Sequence, residues 1–522
     1  MTKMEDGKVA LEAILTRIHD FGGIQRLGCR FRTEREHYFF DAGTGKVENL
    51  SDEEAVFFDW LFERGKRDGF EQWKKYNDGD SADEMLIELR KDIMRENLLQ
   101  SPLLSHLRSR EHQENLADSL KDHVRMITLE LTGRCNLRCG YCIYNEDFCE
   151  NRNFTENDMT EETAIKAIDY LAAHSGKEVA VTFYGGEPLL KYDLIEKCVK
   201  HAQKVMEGKE LGFSMTSNMT LMTKERAEFF YRTANFSLVV SLDGPEEIHN
   251  AYRKYPNGIG SFQDTIRGLR ILREVFGDSF ASRVSLSMVF APPYTYEHLE
   301  KINRFFQELD WLPQKTEKLL SYPENGSVQY SLEESEGVSY NESNDRGYVD
   351  TICRWTQKGD EMGDDAPENL STRKFYDEIL LRIHKRALTD KPTELFGLNG
   401  SCVPGTRRLY VTTDGYFKPC ERMGLCPDIG SVETGLEYEK IKKLYVDDYI
   451  MASDEECTNC WAKRMCGVCY AKAYSEKGVD TEKKKYMCDM ARHTAREGLI
   501  LYHTQLERDP ESLRHLNQIQ YG

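Results

Sequence analysis

Residues 127–142 read ITLELTGRCNLRCGYC, an apolar, strand-like run that ends in three cysteines with the spacing CxxxCxxC. Outward from this stretch, runs with the composition of strands alternate with helical stretches. The predicted strands cover residues 127–132, 179–184, 212–217, 236–241, 284–291 and 327–332. The predicted helices cover residues 160–175, 192–206, 223–233, 261–276 and 296–308. This alternation predicts an α/β fold with a parallel sheet, and about six units predict a partial (βα)6, TIM-like barrel with its site at the carboxyl ends of the strands.

The composition narrows the class of protein. Of the 522 residues, 40% are apolar, and 70 Lys+Arg stand against 89 Asp+Glu for a formal charge of −19. This acidity argues against nucleic acid and membrane as partners, because proteins that bind phosphates bring clustered positive charge to them. No apolar run approaches the length of about 20 residues that spans a bilayer. The stretch MTKMEDGKVALEAILTR lacks the features of a signal peptide, so the expected compartment is the cytoplasm.

Cysteine is the most informative residue type. The chain has 15 cysteines, of which Cys135, Cys139 and Cys142 form one group and a second group ends at Cys488. In a reducing cytoplasm such spacing indicates metal ligands rather than disulfides. Three thiolates on one loop can hold three irons of a [4Fe–4S] cluster and leave the fourth iron open to a small molecule. The alternative is a zinc knuckle with Cys149 as its fourth ligand.

Further motifs follow the later predicted strands. Gly185-Gly186-Glu187-Pro188 follows the second, Thr216-Ser217-Asn218 the third and Ser241-Leu242-Asp243-Gly244 the fourth. Together with CNLRCGYC, in which Tyr141 precedes the third cysteine, these motifs resemble the radical S-adenosylmethionine (radical SAM) superfamily. Glycines let backbone approach a ligand, and strand-end carbonyls accept hydrogen bonds from an ammonium group.

The resemblance implies a cofactor and roles for its binding residues. Cys135, Cys139 and Cys142 would hold a [4Fe–4S] cluster that donates one electron to SAM, and the resulting 5′-deoxyadenosyl radical would abstract a hydrogen atom from substrate. In the family the Gly-Gly-Glu edge binds the methionine amino group. Ser241 would meet the ribose and Arg253 the SAM carboxylate. The residues implied to bind the cofactor are Tyr141, Gly185, Gly186, Glu187, Ser217, Asn218, Ser241 and Arg253.

The cysteines of the C-terminal third resemble the seven-cysteine SPASM extension of radical SAM peptide-modifying enzymes. They are Cys402, Cys420, Cys457, Cys460, Cys466, Cys469 and Cys488, with a glycine at Gly415. The resemblance implies two auxiliary [4Fe–4S] clusters. Of these cysteines, the first cluster would take Cys402, Cys420 and Cys469, and the second would take the other four. The fourth iron of the first cluster would bind Cys426 or a substrate thiolate.

Two features leave the assignment of these cysteines open. Two residues separate Cys466 from Cys469, whereas the family has three. Some members also place a cysteine six residues after the first, where this chain has Arg408. A pair of structural zinc sites is the alternative. The remaining cysteines are expected to be ordinary small apolar residues: Cys29, Cys149, Cys198 and Cys353.

The first hundred residues are predicted to form a small α+β module. Strand-like pieces flank the turn at 41–45, Ser51 and Glu54 form a capping box, and a helix is predicted over 82–99. The module resembles the winged-helix element of ribosomal-peptide maturases. That resemblance implies that a leader peptide adds a strand to an exposed sheet edge, at 36–41 or its neighbour. A dimerisation or packing module is the alternative.

The predicted domains follow from these features. They are the front module 1–100, a linker 101–124, the radical SAM partial barrel 125–333, an acidic insertion or bridging region 334–400, a SPASM domain 401–490 and a helical tail 491–522.

The resemblance to sactipeptide and ranthipeptide maturases implies an enzyme that makes thioether cross-links in a ribosomally synthesised, Cys-rich precursor peptide. A flavodoxin or ferredoxin would supply electrons. A thiolate held near the first auxiliary cluster would attack the carbon from which hydrogen was taken. The alternatives are an anaerobic sulfatase-maturing enzyme, which converts Cys or Ser to formylglycine, and a non-enzymatic electron carrier.

Overall fold

The computed structural model describes residues 3–20, 24–63, 80–102, 104–121, 124–146, 148, 151–324, 326–328, 352–353, 355–356 and 372–519. Cys149 and most of the predicted acidic insertion lie outside these residues. Within them, no helix is long and apolar enough to cross a membrane.

The N-terminal module is a three-stranded antiparallel sheet with three helices. Its strands are β1 (Gly28–Arg32), β2 (His37–Asp41) and β3 (Val47–Leu50), and its helices are α1 (Lys3–Asp20), α2 (Asp52–Glu63) and α3 (Asp80–Glu96). The predicted capping box is present, because the Ser51 amide donates to the Glu54 carboxylate at 2.8 Å and the Glu54 amide donates back at 3.3 Å. Of the two alternatives for the sheet edge, 36–41 is excluded because β2 is the central strand, and its neighbours β1 and β3 are the edges among the described residues.

The predicted linker 101–124 contains two short helices, α4 (Arg110–Gln113) and α5 (Leu116–Ser119). This segment is part of the folded domain, since Leu107, Leu116 and Val124 are buried in the same apolar core as the barrel strands.

Six parallel strands follow, each hydrogen-bonded to the next in chain order. They are β4 (Met126–Thr132), β5 (Glu178–Gly185), β6 (Glu210–Ser217), β7 (Phe236–Ser241), β8 (Val284–Val289) and β9 (Lys318–Ser321). The longer helices between them are α6 (Glu161–Ala173), α7 (Tyr192–Val205), α8 (Lys224–Arg232), α9 (Glu246–Tyr252), α10 (Phe262–Phe276) and α12 (Tyr296–Glu308), and α11 (Phe280–Arg283) is one turn. The parallel α/β sheet is therefore confirmed.

The sixth strand lies elsewhere than expected. The prediction of a strand over 327–332 is wrong for residues 327–328, which are not in a strand, and residues 329–332 lie outside the described part of the chain. The sixth parallel strand is instead the four-residue segment Lys318–Ser321, which pairs with β8.

The C-terminal third continues the barrel sheet. Strand β10 (Leu409–Val411) pairs in parallel with β4, on the side of β4 away from β5. Three short antiparallel strands extend this edge, β11 (Tyr416–Lys418), β12 (Gly430–Ser431) and β13 (Gly435–Leu436). The remaining elements are α13 (Arg373–His384), α14 (Tyr438–Ile441), a π-helix (Lys442–Asp447), α15 (Asp448–Thr458), the hairpin β14 (Tyr474–Ser475) and β15 (Gly478–Val479), and α16 (Thr481–Arg508).

The N-terminal module packs against this C-terminal third. The Arg464 guanidinium donates to the Ala42 carbonyl at 2.8 Å, and the Arg386 guanidinium donates to the Gly45 carbonyl at 2.7 Å. A Cβ on Gly45 would lie 2.4 Å from the Ala387 carbonyl oxygen, so the turn at 41–45 can approach this closely only with glycine there. The turn that the sequence predicts is thus the docking point of the module.

Candidate functional site

The loop after β4 carries the first three cysteines. It is tied to the segment after α9, since the Arg138 amide donates to the Lys254 carbonyl at 2.7 Å and the Gly140 amide to the Tyr252 carbonyl at 2.9 Å. These backbone bonds fix where the loop places its thiols.

The three thiols are buried next to one another. Burial raises the pKa of Cys139 to about 12, and burial and the thiols of Cys139 and Cys142 also raise the pKa of Cys135. Burial likewise raises the pKa of Cys142. Thiols in such surroundings ionise when a metal ion takes up the negative charge, so this donor set fits an iron–sulfur cluster.

Gly185 and Gly186 bring the end of β5 against the cysteine loop. The Gly186 amide donates to the Thr132 carbonyl and the Glu187 amide to the Arg134 carbonyl, both at 2.9 Å. Gly185 has φ +131°, and a Cβ on Gly186 would lie 2.0 Å from the Arg134 carbonyl oxygen. The two glycines therefore let the backbone at the end of β5 approach the backbone of the cysteine loop closely, independently of any role in binding a ligand.

Glu187, Ser217 and Asn218 form one buried network. The Glu187 carboxylate accepts from the Ser217 hydroxyl at 2.8 Å, the Asn218 amide at 2.9 Å and the Leu189 amide at 3.0 Å. The Asn218 side chain donates to Asn136 of the cysteine loop at 2.9 Å. These side chains join two strand ends to the loop, so their direct contact with a cofactor stays a prediction.

Tyr141, Asp243 and Arg253 form a second buried network. Arg253 donates to both carboxylate oxygens of Asp243, at 2.9 and 3.1 Å, and the Tyr141 hydroxyl donates to the same carboxylate. Burial alone would raise the pKa of Asp243, but the Arg253 guanidinium keeps this pKa below its usual value. Arg253 also lies beside the Cys139 thiol. The predicted cofactor residues thus surround the cysteine loop.

These groups line one cavity of about 160 Å³ at the carboxyl ends of the strands. All three cysteines contribute to its wall, and so does each residue predicted to bind the cofactor: Tyr141, Gly185, Gly186, Glu187, Ser217, Asn218, Ser241 and Arg253. The sequence motifs therefore converge at one place.

The sequence analysis missed a buried polar group next to this cavity. Glu130 of β4 pairs with Arg152, whose guanidinium carbon lies 4.0 Å from the centroid of the Tyr144 ring. The Tyr144 hydroxyl has no hydrogen-bond partner among the described residues. Tyr184 packs against Tyr410 with a centroid distance of 6.5 Å. The sequence feature that could have indicated this buried ion pair is Glu130, a charged residue inside the apolar run of β4.

The cysteines of the C-terminal third fall into two sets. Four thiols line a single small cavity, and they are Cys457, Cys460, Cys466 and Cys488. Burial raises the pKa of each thiol for which a shift is found, Cys460, Cys466 and Cys488, and the neighbouring thiols add to this increase. This is the set predicted for the second auxiliary cluster.

The other set gathers around Cys469. Burial raises the pKa of Cys420 to about 12 and that of Cys426 to about 11, and the nearby Cys469 contributes to both increases. Cys402 is exposed and lies near Tyr470, the residue after Cys469. Cys426 is thus placed with the predicted ligands of the first auxiliary cluster.

The remaining cysteines have simpler surroundings. Cys198 is fully buried in the barrel core, and Cys353 is buried in a smaller apolar cluster, as expected of ordinary apolar residues. Cys29 is partly buried in β1. Within the described ranges, no group of three or more His, Cys, Asp or Glu side chains is spaced to hold a single metal ion.

Comparison with known proteins identifies the class. The family model of the radical SAM superfamily matches residues 129–306, which run from β4 to α12. These residues form a radical SAM domain.

The similar proteins include both short and long matches. An uncharacterized protein of Methanocaldococcus jannaschii is 36% identical over 152 residues, which are 29% of this chain and 50% of that protein. The cysteine-type anaerobic sulfatase-maturating enzyme of Clostridium perfringens is 26% identical over 372 residues, which are 67% of this chain and 90% of that enzyme. The chain thus matches half the length of the first relative and most of the second.

A solved structure shares the fold. The structure of native anSMEcpe with bound AdoMet aligns with a TM-score of 0.53 and 20% identity, and the alignment covers 76% of this chain and 100% of that one.

Proposed function

We propose that the protein is a peptide maturase that installs thioether cross-links between cysteine sulfur and carbon in a ribosomally made, Cys-rich precursor peptide. One observation carries the proposal. Tyr184 borders the cavity of the cysteine loop and packs against Tyr410 of β10, and burial, Glu421 (next to Cys420) and Cys142 raise the pKa of its hydroxyl. The first cysteine set of the C-terminal third thus adjoins the space that faces the radical SAM site.

The residues that would hold the cofactors follow from the geometry. Cys135, Cys139 and Cys142 would bind a [4Fe–4S] cluster through their thiolates, and the end of β5 would bind SAM beside it. When bound, these groups supply a 5′-deoxyadenosyl radical, which takes a hydrogen atom from an unactivated carbon. The walls of the cavity would orient the peptide and exclude water.

The two cysteine sets of the C-terminal third would hold two auxiliary [4Fe–4S] clusters, three clusters in all. Cys457, Cys460, Cys466 and Cys488 supply a complete set of four ligands for the second. Cys402, Cys420 and Cys469 would ligate the first, with Cys426 or a substrate thiolate at its fourth iron. A thiolate bound there would lie close to the barrel cavity, where a carbon radical would form.

The N-terminal module would bind the leader of the precursor. Within the described residues, β3 pairs on one side only, with β2. An extended peptide can add to such an edge through main-chain hydrogen bonds. This would leave the Cys-rich core of the precursor free to enter the barrel. An external donor such as a flavodoxin or ferredoxin would supply electrons, and a reducing cytoplasm would preserve the thiols.

Formylglycine formation on a sulfatase is the second candidate. It is favoured by the Clostridium perfringens enzyme, whose sequence matches along 90% of its own length. That match uses 67% of this chain, so a third of the chain remains for an additional task such as leader binding.

The test is a reaction of the anaerobically reconstituted full-length protein with SAM, dithionite and either a Cys-rich peptide or a sulfatase peptide. Thioether formation should remove two hydrogen atoms per bridge and one alkylatable thiol per bridge. Formylglycine would instead give an aldehyde that reacts with a hydrazide probe. An aldehyde formed in the sulfatase peptide alone would contradict the thioether proposal.

Two variants separate the radical step from the cross-linking step. Cys139→Ala should abolish both 5′-deoxyadenosine and bridges, because it removes a ligand of the SAM-binding cluster. Cys460→Ala should retain 5′-deoxyadenosine while bridges are lost. Cys198→Ala is a matched control in the barrel core and should retain both products. Bridge formation by Cys139→Ala would contradict the assignment.

A further inference from the structure

Three cations lie buried beside the four-cysteine set of the C-terminal third. Arg26 is 0% exposed, and Lys463 and Lys484 are each 3% exposed. None of them has a carboxylate within ion-pairing distance in the part of the chain that the structure describes. Buried charges without a partner cost several kcal/mol each, so these cations call for a buried anion.

The nearest candidates for that anion are the cysteines. The Lys484 ammonium donates to the Cys457 sulfur at 3.2 Å. Lys463 lines the same cavity as the four thiols. Arg26, from the N-terminal module, donates to the Ser101 carbonyl and interacts electrostatically with Lys463. A fourth cation, Arg492, also lines the cavity, and it pairs with Asp489 at 2.6 Å and with Glu456, the carboxylate of the cavity wall, at 3.8 Å.

A cluster held by four thiolates supplies the missing charge. A [4Fe–4S] core with four cysteine ligands carries a net charge of −2 when oxidised and −3 after one electron is added. Buried cations stabilise the reduced form more than the oxidised form because its charge is larger. Hydrogen bonds to the sulfurs also stabilise the reduced form. Buried cations and such hydrogen bonds therefore both raise the reduction potential of the cluster.

We propose that Lys484, supported by Lys463 and by Arg26 of the N-terminal module, raises the reduction potential of the second auxiliary cluster. This inference rests on the proposed function, which places a cluster on Cys457, Cys460, Cys466 and Cys488. The step is the gain of one electron by that cluster, with no change of ligands. In the test the electron comes from dithionite.

The test is a potentiometric titration of the reconstituted full-length protein, followed by electron paramagnetic resonance. Lys484→Gln should shift one reduction wave by about tenfold in the one-electron equilibrium, or about 59 mV, toward lower potential. The other waves should stay in place. Lys484→Arg, which keeps the charge and a donor, should restore the wave.

Lys443→Gln is the control, because the Lys443 side chain is 69% exposed and pairs with Asp448, and neither residue lines the four-cysteine cavity. Its titration should equal that of the unaltered protein. Arg26→Met provides a second measurement if Lys484→Gln fails to fold, and it should shift the same wave in the same direction by less.

Metal analysis distinguishes the two possible failures. If Lys484→Gln and Arg26→Met retain full iron and their waves coincide with that of the unaltered protein, this inference is overturned and the proposed function stands. If the unaltered protein carries zinc on the four cysteines, the proposed cluster count fails and the inference fails with it. A shift in Lys484→Gln that Lys484→Arg reverses supports the inference.

Discussion

Gly186 shows how a single residue controls the site. Its amide bonds to β4 at Thr132, and a Cβ there would meet the Arg134 carbonyl oxygen at 2.0 Å, just before Cys135. A side chain would have to push the cysteine loop away from the end of β5. The same small residue therefore sets the distance between the cluster ligands and the edge predicted to hold SAM.

We expect Gly186→Ala to lower the yield of 5′-deoxyadenosine at least tenfold and to destabilise the protein by about 3 kcal/mol, because backbone atoms must shift to admit the methyl group. Product analysis and thermal unfolding under argon would measure both effects. Gly176→Ala is the control, since nothing lies within 4 Å of a Cβ added there. Normal turnover by Gly186→Ala would contradict this role of the glycine.

At the scale of residues, the sequence indicates which motifs meet at the cavity better than it indicates the contacts around them. The three cysteines of the loop and the glycines at 185–186 are recognisable because their type and spacing are demanded by chemistry. The pairing of Glu130 with Arg152 is not, because the two residues meet only after β4 and a distant loop have folded together. The role of Glu187 as a hub between strand ends is hidden for the same reason.

Among the elements, the π-helix Lys442–Asp447 is held by two tyrosines from a later segment. The Tyr474 hydroxyl donates to the Leu444 carbonyl at 2.6 Å and the Tyr470 hydroxyl to the Tyr445 carbonyl at 2.7 Å. The rings of Tyr445 and Tyr474 stack with a centroid distance of 4.8 Å. Widened helical turns are rare, and here side chains bond to carbonyls of the widened turn.

We expect Tyr474→Phe to destabilise the protein by about 1 kcal/mol, the usual net contribution of one hydrogen bond. The midpoint of anaerobic urea unfolding would show the loss. Tyr438→Phe serves as the control, since Tyr438 is 37% exposed in the preceding turn. Equal midpoints for the two variants would mean that the hydroxyl of Tyr474 does not support the π-helix.

The elements that could be predicted are those with a local pattern. The first five barrel strands and all five predicted barrel helices lie within a few residues of their predicted bounds, because alternating and amphipathic periodicities are local. The short helices α9 and α11 were not predicted. Strand Lys318–Ser321 escaped prediction because four residues carry almost no periodicity. The pairing of β10 with β4 joins segments far apart in the chain, and no local pattern reports such a partner.

In the whole molecule, the N-terminal module is fastened to the last long helix. His503 of α16 is 5% exposed and packs against Tyr38 and Phe31 of the module, with ring centroids 4.8 and 5.1 Å away. Its Nδ1 donates to the Leu499 carbonyl at 2.8 Å, which fixes the tautomer of the neutral ring. Burial lowers the pKa of His503 to about 4.

This gives the docked module a dependence on pH. Below a pH of about 6.5 the unfolded chain binds a proton at His503, whereas the folded protein binds it only near pH 4. Stability is therefore lost as the pH falls between these values, by up to about 3 kcal/mol. His503→Gln should remove this part of the pH dependence of thermal unfolding, and His515→Gln, at a partly exposed site, should keep it. Parallel pH profiles for the unaltered protein and His503→Gln would contradict the assignment.

The pairing of β4 between β5 and β10 also matters while the protein is being made. A ribosome releases the chain from its N-terminus, so β4 emerges long before Leu409–Val411. Until then the edge of β4 that later pairs with β10 has unpaired backbone N–H and C=O groups, which can pair with strands of other chains. Shortened products that stop before this segment keep that aggregation-prone side permanently.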